Sequence, residues 1–275
     1  MKIIQNTIHI GLETPVRVLH ASDTHLTRAD LRDGLRKVDL AASRAHCFAA
    51  AEECLAEISR VSHEMDLPIM HTGDLIDFVS LANLEATKAF MDTNDCFFAT
   101  GNHEFSLYVG EAWEDADYRN QSLAQVQAAF TNDIRMSSRI IGGVNFVALD
   151  NGYYNFDPEH FEFVKEQVKV GLPIVLMFHT PLYEQTFYEY SMKRTPSCAY
   201  LVGVPEALTE CYDPYRRKQQ AAEALTLEML DYVAKVPLIR AILTGHMHFD
   251  YESVFADRIP QLCTDCCTLR VVEFV

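Results

Sequence analysis

The sequence predicts a single-domain α/β protein in which buried, mostly parallel strands alternate with helices. Two observations lead to this prediction. Short apolar runs recur along the chain and end on Gly, Asp, Asn or His, and stretches with helical spacing of apolar residues lie between them. Alternation of this kind is typical of α/β sheets. The 275 residues, 49% hydrophobic and 23% charged, suffice for a large core, so we expect one domain over 1–275.

Six apolar runs are predicted to be strands covered on both faces, because they are short, rich in Val, Ile and Phe, and followed by turn-forming residues. In chain order these runs are VRVLHASDTH (16–25), LPIMHTGDLID (67–77), CFFATGNHE (96–104), VNFVALDN (144–151), LPIVLMFHTP (172–181) and LIRAILTGHMH (238–248). Helices are predicted between them at 43–62, 81–92, 158–169 and 216–235. Strands without intervening helices are predicted at 3–12, 251–256, 259–264 and 268–275, which indicates a second sheet stacked on the first.

The charge and hydropathy of the chain argue against several kinds of partner. With 23 basic and 39 acidic residues the formal net charge is −16, which repels the phosphate backbone of nucleic acids. No stretch reaches the roughly 18 apolar residues of a membrane span. Polar Gln5, Asn6 and Thr7 stand where a signal peptide would be apolar. We therefore expect a cytoplasmic protein without nucleic-acid or membrane partners, and monomer and dimer stay equally open.

The cysteines are interpreted as reduced thiols, because a chain of this length does not need disulfides to fold. Cys263, Cys266 and Cys267 form the one cluster with metal-ligand spacing. It is either half of a zinc site or a group of small apolar residues near a late turn. A second pair of ligands at similar spacing does not follow nearby, which favours the turn.

Metal-capable residues follow five of the six predicted strands, where ligands bind in open α/β sheets. They are Asp23 and His25 after the first strand, Asp74 after the second, Asn102 and His103 after the third, His179 after the fifth, and His246 and His248 after the last. A single histidine at a strand end is usually a hydrogen-bonded core or rim residue. The ordered set, rather than any one member, predicts a metal site.

The chain contains an ordered set of motifs that resembles the calcineurin-like metallophosphoesterases. The motifs are Asp23-x-His25, Gly73-Asp74-x-x-Asp77, Gly101-Asn102-His103-Glu104, His179 and Gly245-His246-x-His248. This resemblance, which runs from 18 to 248, implies a four-layer αββα sandwich of two mixed β-sheets flanked by helices. It also implies a centre of two metal ions. One ion would be held by Asp23, His25 and His248, the other by Asn102, His179 and His246, and Asp74 would bridge them.

The resemblance also implies the chemistry. Carboxylate, imidazole and amide oxygen suit two divalent or mixed-valence ions of manganese, iron or zinc. The implied reaction is hydrolysis of a phosphoester by in-line attack of a metal-bound hydroxide. His103 would protonate the leaving oxygen or stabilise charge in the transition state. Asp77 would orient the site through hydrogen bonds, and Glu104 receives no role.

Differences between this sequence and one subfamily of these enzymes narrow the expected class of substrate. The Ser/Thr protein phosphatases of the superfamily carry an arginine where Phe78 follows Asp77, and a single histidine where GHMH stands. The chain is more similar to bacterial-type phosphoesterases, which include cyclic-nucleotide phosphodiesterases, nucleases and small-metabolite phosphatases. We expect a phosphodiester, or else a phosphomonoester, of a small molecule as substrate. The alternative is a catalytically silent scaffold that binds metal or a partner, and the complete ligand set favours the enzyme.

Three long segments between motifs are expected to set specificity, because they exceed simple connections: 26–37, 105–120 and 182–217. The last holds six tyrosines together with Lys193, Arg194, Arg216 and Arg217. Two interpretations of this segment stand. It is a lid that stacks a ring and clamps phosphate, or a surface excursion with its own small core.

Overall fold

The computed structural model describes residues 1–110 and 116–275, so residues 111–115 of the predicted specificity segment 105–120 lie outside the described residues. The strands are β1 Lys2–Ile8, β2 Val16–Ala21, β3 Ile69–His71, β4 Cys96–Phe98, β5 Met136–Ile141, β6 Val144–Leu149, β7 Ile174–Met177, β8 Ile239–Thr244, β9 Tyr251–Phe255, β10 Ile259–Cys263 and β11 Thr268–Phe274. The α-helices are α1 Leu35–Arg44, α2 Ala51–Met65, α3 Leu81–Thr93, α4 Ala116–Asn120, α5 Leu123–Gln127, α6 Pro158–Lys169, α7 Gln185–Arg194, α8 Pro214–Gln219 and α9 Ala224–Lys235.

The strands form two mixed sheets. The first has the order β1-β11-β2-β3-β4, in which β2, β3 and β4 run parallel and β11 runs antiparallel to β2. The second has the order β5-β6-β7-β8-β10-β9, with four parallel strands in the middle and an antiparallel strand at each edge. The carboxyl ends of the parallel strands open the space in which the motif residues lie.

Three apolar clusters stack the molecule into four layers. Helices α2 and α3 cover the first sheet through side chains such as Leu55 and Phe90. The two sheets face each other across a central cluster in which Phe146 packs edge-to-face on Phe274, with ring centroids 5.6 Å apart. Helices α6 and α9 cover the second sheet, for example through Leu230. Burial of one apolar side chain of this size stabilises the fold by about 1.5–3 kcal/mol, so the three clusters together hold the layers against one another. The predicted αββα sandwich is confirmed.

The sheets divide the strands differently from the sequence prediction. The strands at the two ends of the chain were expected to form a separate second sheet. Instead β1 and β11 join the first sheet, and β9 and β10 join the second. The strand β5 was not predicted, because its residues MSSRII alternate between exposed and half-buried positions at a sheet edge and form no continuous apolar run.

Two predicted helices are interrupted where a side chain turns inward. The stretch 43–62 contains the end of α1, a turn, and α2, because Phe48 in the turn stacks on a histidine of the site. The stretch 216–235 breaks after α8, where buried Gln220 accepts a hydrogen bond from the backbone N–H of Tyr200 at 3.1 Å. Neither break involves a proline or glycine, the usual sequence signals for the end of a helix.

The segment 182–217 contains α7, a 3₁₀ helix at Glu206–Thr209 and most of α8. Its residues Phe187, Tyr188 and Tyr212 share a fourth apolar cluster with Phe249 beside the second sheet. The segment therefore packs a small apolar cluster beside the second sheet, and its interpretation as a lid stays a prediction. None of the helices within 1–110 and 116–275 has the length and apolar character needed to cross a bilayer.

All eight cysteines lie within the described residues and are free. Cys263 is buried, and its thiol lies 3.1 Å from the carbonyl oxygen of Gly245. Cys267 faces Cys54 of α2, with 3.6 Å between the two Sγ atoms. Cys263 is the last residue of β10, and Cys266 and Cys267 lie in the turn that precedes β11.

Candidate metal centre

The structure brings the motif residues of both sheets to one place. Asp23 and His25 follow β2, Asp74 follows β3, and Asn102 and His103 follow β4, all in the first sheet. From the second sheet, His179 follows β7, and His246 and His248 follow β8. The site therefore lies where the carboxyl ends of the two sheets meet.

One group of ligand-capable atoms consists of Asp23, His25 and His248. One such atom from each residue lies within 4.8 Å of the others. The Nε2 atoms of His25 and His248 are 3.0 Å apart. His248 Nε2 is also 3.3 Å from Asp23 Oδ1. Three side chains thus direct two nitrogens and an oxygen at a common point, although 223 residues separate His25 from His248.

A second group consists of Asp74, His179 and His246, again with ligand-capable atoms within 4.8 Å of one another. Asp74 Oδ2 is 3.1 Å from His179 Nε2 and 3.5 Å from His25 Nε2. This carboxylate also groups with His25 and His103. Asp74 therefore lies between the two sets of ligand-capable atoms, as a bridging residue must.

Three atoms at the centre are buried without a hydrogen-bond partner among the described residues: Asp23 Oδ1, Asn102 Oδ1 and His179 Nε2. His248 Nε2 lies 3.3 Å from Asp23 Oδ1, and His179 Nε2 lies 3.1 Å from Asp74 Oδ2, but neither contact has the geometry of a hydrogen bond. A buried polar atom without a partner costs about 1–3 kcal/mol, so three at one place call for a ligand. Carboxylate, imidazole and amide oxygen fit divalent cations of the manganese, iron and zinc class.

The charges of the centre are strongly coupled. Burial alone raises the pKa of Asp23, but His179, His248 and His25 outweigh burial and hold this pKa well below its usual range. Burial lowers the pKa of His179, but the carboxylates of Asp74 and Asp23 raise it to about 10. Protons on these imidazoles and cations compete for the same nitrogen atoms, because a metal ligand must be deprotonated.

The backbone at the centre is left-handed at five of the seven predicted ligands. The φ angles are 55° at Asp23, 52° at His25, 52° at Asp74, 70° at His246 and 50° at His248. Left-handed backbone is costly for residues with a Cβ. Tight hydrogen bonds between the loops hold it in place, such as Asp23 N to Gly73 O at 3.0 Å and His25 N to Asp74 O at 2.9 Å.

Two glycines allow the loops to approach one another. A Cβ on Gly245 would overlap the Ser22 hydroxyl and the Asp23 carboxylate. A Cβ on Gly101 would overlap the Asp74 carboxylate. Gly101 and Gly245 are therefore required because a neighbouring side chain occupies the space of a Cβ, rather than by their own backbone angles.

Asp77 supports the first group of ligand-capable residues through a contact with His25. Its Oδ1 lies 3.0 Å from His25 Nδ1, and Arg44 contacts both carboxylate oxygens at 2.6 and 2.9 Å. Burial raises the pKa of Asp77, but Arg44, His103 and His25 lower it below its usual range. None of the three groups of metal-capable residues in the described chain includes Asp77. This geometry fits an orienting residue.

His103 lies at the edge of the centre with its Nδ1 held in place. This nitrogen donates to the carbonyl oxygen of Asp77 at 2.7 Å, and the backbone N–H of His103 donates to Asp74 Oδ1 at 2.8 Å. Burial lowers the pKa of His103, but the Asp74 and Asp77 carboxylates outweigh burial and raise it to about 9. Bound cations would offset that carboxylate charge and lower the pKa again.

Glu104, which received no role from the sequence, ties two motif loops together. Its buried carboxylate accepts hydrogen bonds from the backbone N–H groups of Asp74 at 2.9 Å, Leu75 at 2.8 Å and Gly101 at 2.8 Å. The loop that carries Asp74 is thereby fixed to the loop that carries Asn102.

Sequence reasoning missed three residues that touch the centre. Arg44 and Phe48 come from a stretch predicted to be plain helix, and Phe48 stacks on His25 with ring centroids 4.0 Å apart. The hydroxyl of Tyr154 lies 2.9 Å from His246 Nε2. Nothing in the sequence marks Arg44 or Phe48. Tyr154, however, follows β6, the one predicted strand whose end carried no metal-capable residue.

A cavity of about 440 Å³ opens over the centre. Its lining includes five predicted site residues: Asp74, Asn102, His103, His246 and His248. The lining also includes Tyr154, Thr195, Tyr200, Arg216 and Gln219. The volume lies within the range usual for small-molecule sites, about 300–1,000 Å³.

An αββα sandwich with these side chains at its strand ends defines the class of the protein. The model of the calcineurin-like phosphoesterase family matches residues 16–250, and the chain belongs to this family. This confirms the resemblance drawn from the motifs. A search of curated proteins finds no match to the chain.

The solved structures that match the chain share little sequence with it. One is a dimetal phosphatase from Danio rerio, with 10% identity, a TM-score of 0.49, and coverage of 91% of this chain and 87% of that one. Another is phosphopantetheinyl hydrolase from Mycobacterium tuberculosis, with 11% identity, a TM-score of 0.44, and coverage of 95% and 90%. A third is 5′-nucleotidase from Candida albicans, with 15% identity and a TM-score of 0.43; the match covers 92% of this chain and 46% of the nucleotidase, so the chain spans under half of that protein's length.

Proposed function

We propose that the chain hydrolyses a phosphoester of a small molecule at a centre of two divalent cations. The observation that carries the proposal is the convergence of three buried, unpartnered atoms, Asp23 Oδ1, Asn102 Oδ1 and His179 Nε2, beneath a cavity of about 440 Å³. The family to which the chain belongs supports the reaction type. The size of the cavity supports a small molecule as substrate.

The proposed ligands form two sets that share one carboxylate. Asp23, His25 and His248 would hold one cation, Asn102, His179 and His246 would hold the other, and Asp74 would contact both. When bound, two such cations activate water as a nucleophile and stabilise the charge that develops on the phosphoryl oxygens. We favour manganese, iron or zinc because the donors are oxygen and imidazole nitrogen.

The proposed role of His103 is to give a proton to the leaving oxygen. Asp77 holds Nδ1 of His103, and no described residue donates to or accepts from its Nε2. Because His103 also lines the cavity, its Nε2 is the atom that would carry the proton to the substrate. Asp77 would act through His25 and His103 as a positioning residue, without touching the substrate.

The first experiment compares an aryl phosphodiester with the matching monoester, using metal-stripped protein reloaded with Mn²⁺. Hydrolysis of either ester supports the proposal, and the faster one gives the substrate class, for which we expect the diester. Binding of two metals per chain without hydrolysis of either ester would instead favour a catalytically silent scaffold. A protein that binds no metal would overturn the centre itself.

Asp74→Asn tests the shared carboxylate. It should lower hydrolysis by at least about a thousandfold, because a ligand of both cations loses its charge, while the circular dichroism spectrum stays unchanged. Asp92→Asn is the control, since Asp92 forms an exposed pair with Lys88 on α3 and should leave activity within twofold. Retained activity in Asp74→Asn would refute the bridging role.

A further inference from the structure

We propose that Arg216 and Tyr200 form a second anion subsite beside the metal centre. Preferred substrates would then carry a second acidic group, a carboxylate or phosphate, one ring's width from the reacting phosphoryl group. This inference rests on the proposed function, since the proposed function places the phosphoryl group of the substrate at the two metal cations. It concerns side chains of the segment 182–217 that the family motifs do not include.

Tyr200 links the metal centre to the guanidinium of Arg216. Its ring centroid lies 5.9 Å from that of His246. Arg216 Cζ lies 5.2 Å from the same Tyr200 centroid. Gln219 accepts a hydrogen bond from Arg216 Nη1 at 2.6 Å, which fixes the guanidinium. The guanidinium is therefore held in position at the cavity, and the Tyr200 ring lies close both to it and to the proposed ligand His246.

The guanidinium of Arg216 differs from most others in this acidic protein. Arg28 pairs with Glu52, Arg119 pairs with Asp150, and many other arginines likewise contact carboxylates. Within 1–110 and 116–275, no carboxylate lies within ion-pair distance of Arg216. A guanidinium has five N–H donors in a planar fork that suits carboxylate and phosphate. A fixed cation that no carboxylate of residues 1–110 or 116–275 contacts, in a chain of net charge −16, is suited to an anion from outside.

The other three cations of the segment, which are Lys193, Arg194 and Arg217, do not line the cavity. Arg217, the next residue on α8, pairs with Glu206 at 3.2 Å. Arg194 lies over the ring of Phe249, with Cζ 4.8 Å from its centroid. Neither residue lines the cavity, and neither does Lys193. Of the four cations in the segment, Arg216 alone is placed to contact a molecule bound at the centre.

The test compares two esters that differ by one charge: the aryl ester that the enzyme hydrolyses, and the same ester with a carboxylate on the aryl ring. Arg216→Met removes the charge and keeps the apolar stem of the side chain. We expect KM for the carboxylated ester to rise about tenfold to a hundredfold, as for loss of a hydrogen bond to a charged group. The value of kcat for this ester should change by less than about twofold, and KM for the plain ester by less than about threefold.

Matched variants separate this role from a structural one. Arg217→Met removes a neighbouring charge outside the cavity and should leave both KM values unchanged. Arg216→Lys should recover part of the preference for the carboxylated ester, since it restores a charge without the planar fork. An equal rise of KM for both esters in Arg216→Met would overturn the subsite. An unchanged ratio of the two KM values would overturn it as well.

A binding measurement keeps the subsite testable if neither ester is hydrolysed. Titration calorimetry of the Mn²⁺-loaded protein would compare phenylphosphonate with 4-carboxyphenylphosphonate, which cannot be hydrolysed as esters. Tighter binding of the carboxylated compound, lost in Arg216→Met and kept in Arg217→Met, would support the subsite even if the proposed hydrolysis fails. Equal affinity of the wild-type protein for both compounds would refute it.

Discussion

Arg44→Met should destabilise the protein far more than the removal of a similar arginine at the surface. Arg44 contacts both oxygens of Asp77 at 2.6 and 2.9 Å, and the Asp77 side chain is 0% exposed. Without Arg44, a buried carboxylate loses its main cationic partner, a change that costs about 3–5 kcal/mol in buried pairs. The Arg44 side chain is 23% exposed, so we expect about 3 kcal/mol, at the lower end of this range.

Arg28→Met is the matched control for this prediction. Arg28 makes the same two-point contact with Glu52, at 2.6 and 2.5 Å, but the two side chains are 47% and 53% exposed. Exposed pairs contribute about 0–1 kcal/mol, so this variant should lose less than about 1 kcal/mol. The comparison therefore isolates burial as the cause, because the bond geometry is nearly the same.

The assay is thermal and urea unfolding of both variants beside the wild-type protein, with metal content measured on the same samples. A loss of about 3 kcal/mol lowers Tm by roughly 6–12 °C in a protein of this size. Arg44→Met should also bind less Mn²⁺ per chain, because Asp77 orients His25. Equal losses of stability in Arg44→Met and Arg28→Met would refute the reasoning.

Two further predictions concern packing and pH. Gly245→Ala should lower metal content, since its Cβ overlaps the Asp23 carboxylate, and cost about 1–3 kcal/mol of stability. Gly143→Ala is the control, because an alanine at φ 85° is strained but contacts no residue of the centre. This variant should lower stability and leave metal content unchanged. His160 is buried, burial lowers its pKa, and its Nδ1 accepts a hydrogen bond from Asp157 N at 3.1 Å. The folded state therefore favours the neutral imidazole, so the stability that His160 contributes is full above about pH 6.5 and falls as the pH drops below that value. His160→Gln should therefore show a flatter decline of Tm between pH 7 and 5 than the wild-type protein or the exposed-site control His46→Gln; an identical slope would contradict this.

The sequence was sufficient to predict most of the buried strands and their ends, because these depend on local patterns, whereas the four layers were implied by the resemblance to the family. A strand buried on both faces shows as a continuous apolar run, and Val18 and Leu19 on β2 indeed pack in the central and outer clusters respectively. The residues that follow such runs are brought together by the topology of the sheets, whatever the intervening loops do. The motif residues therefore converge as the pattern indicates, while their roles as ligands stay predictions.

What the sequence did not reveal depends on contacts between distant segments. The partition of the end strands between two sheets is set by pairing, and an apolar strand does not specify its partner. Arg44 and Phe48 contact the site because a turn interrupts the helical pattern, and no local signal marks that turn. Tyr200 and Arg216 were part of a long segment with two interpretations; its apolar residues share a cluster with Phe249, and Tyr200 and Arg216 line the cavity.

The left-handed backbone at the centre has a consequence for how such a protein changes over generations. Asp23, His25, Asp74, His246 and His248 all hold φ angles that glycine would adopt at lower cost, by roughly 1–2 kcal/mol each. In a lineage freed from the need for the centre, substitutions that relieve this strain would no longer be opposed by a loss of function. A variant of this protein selected for stability alone should therefore be assayed for metal before it is trusted as active.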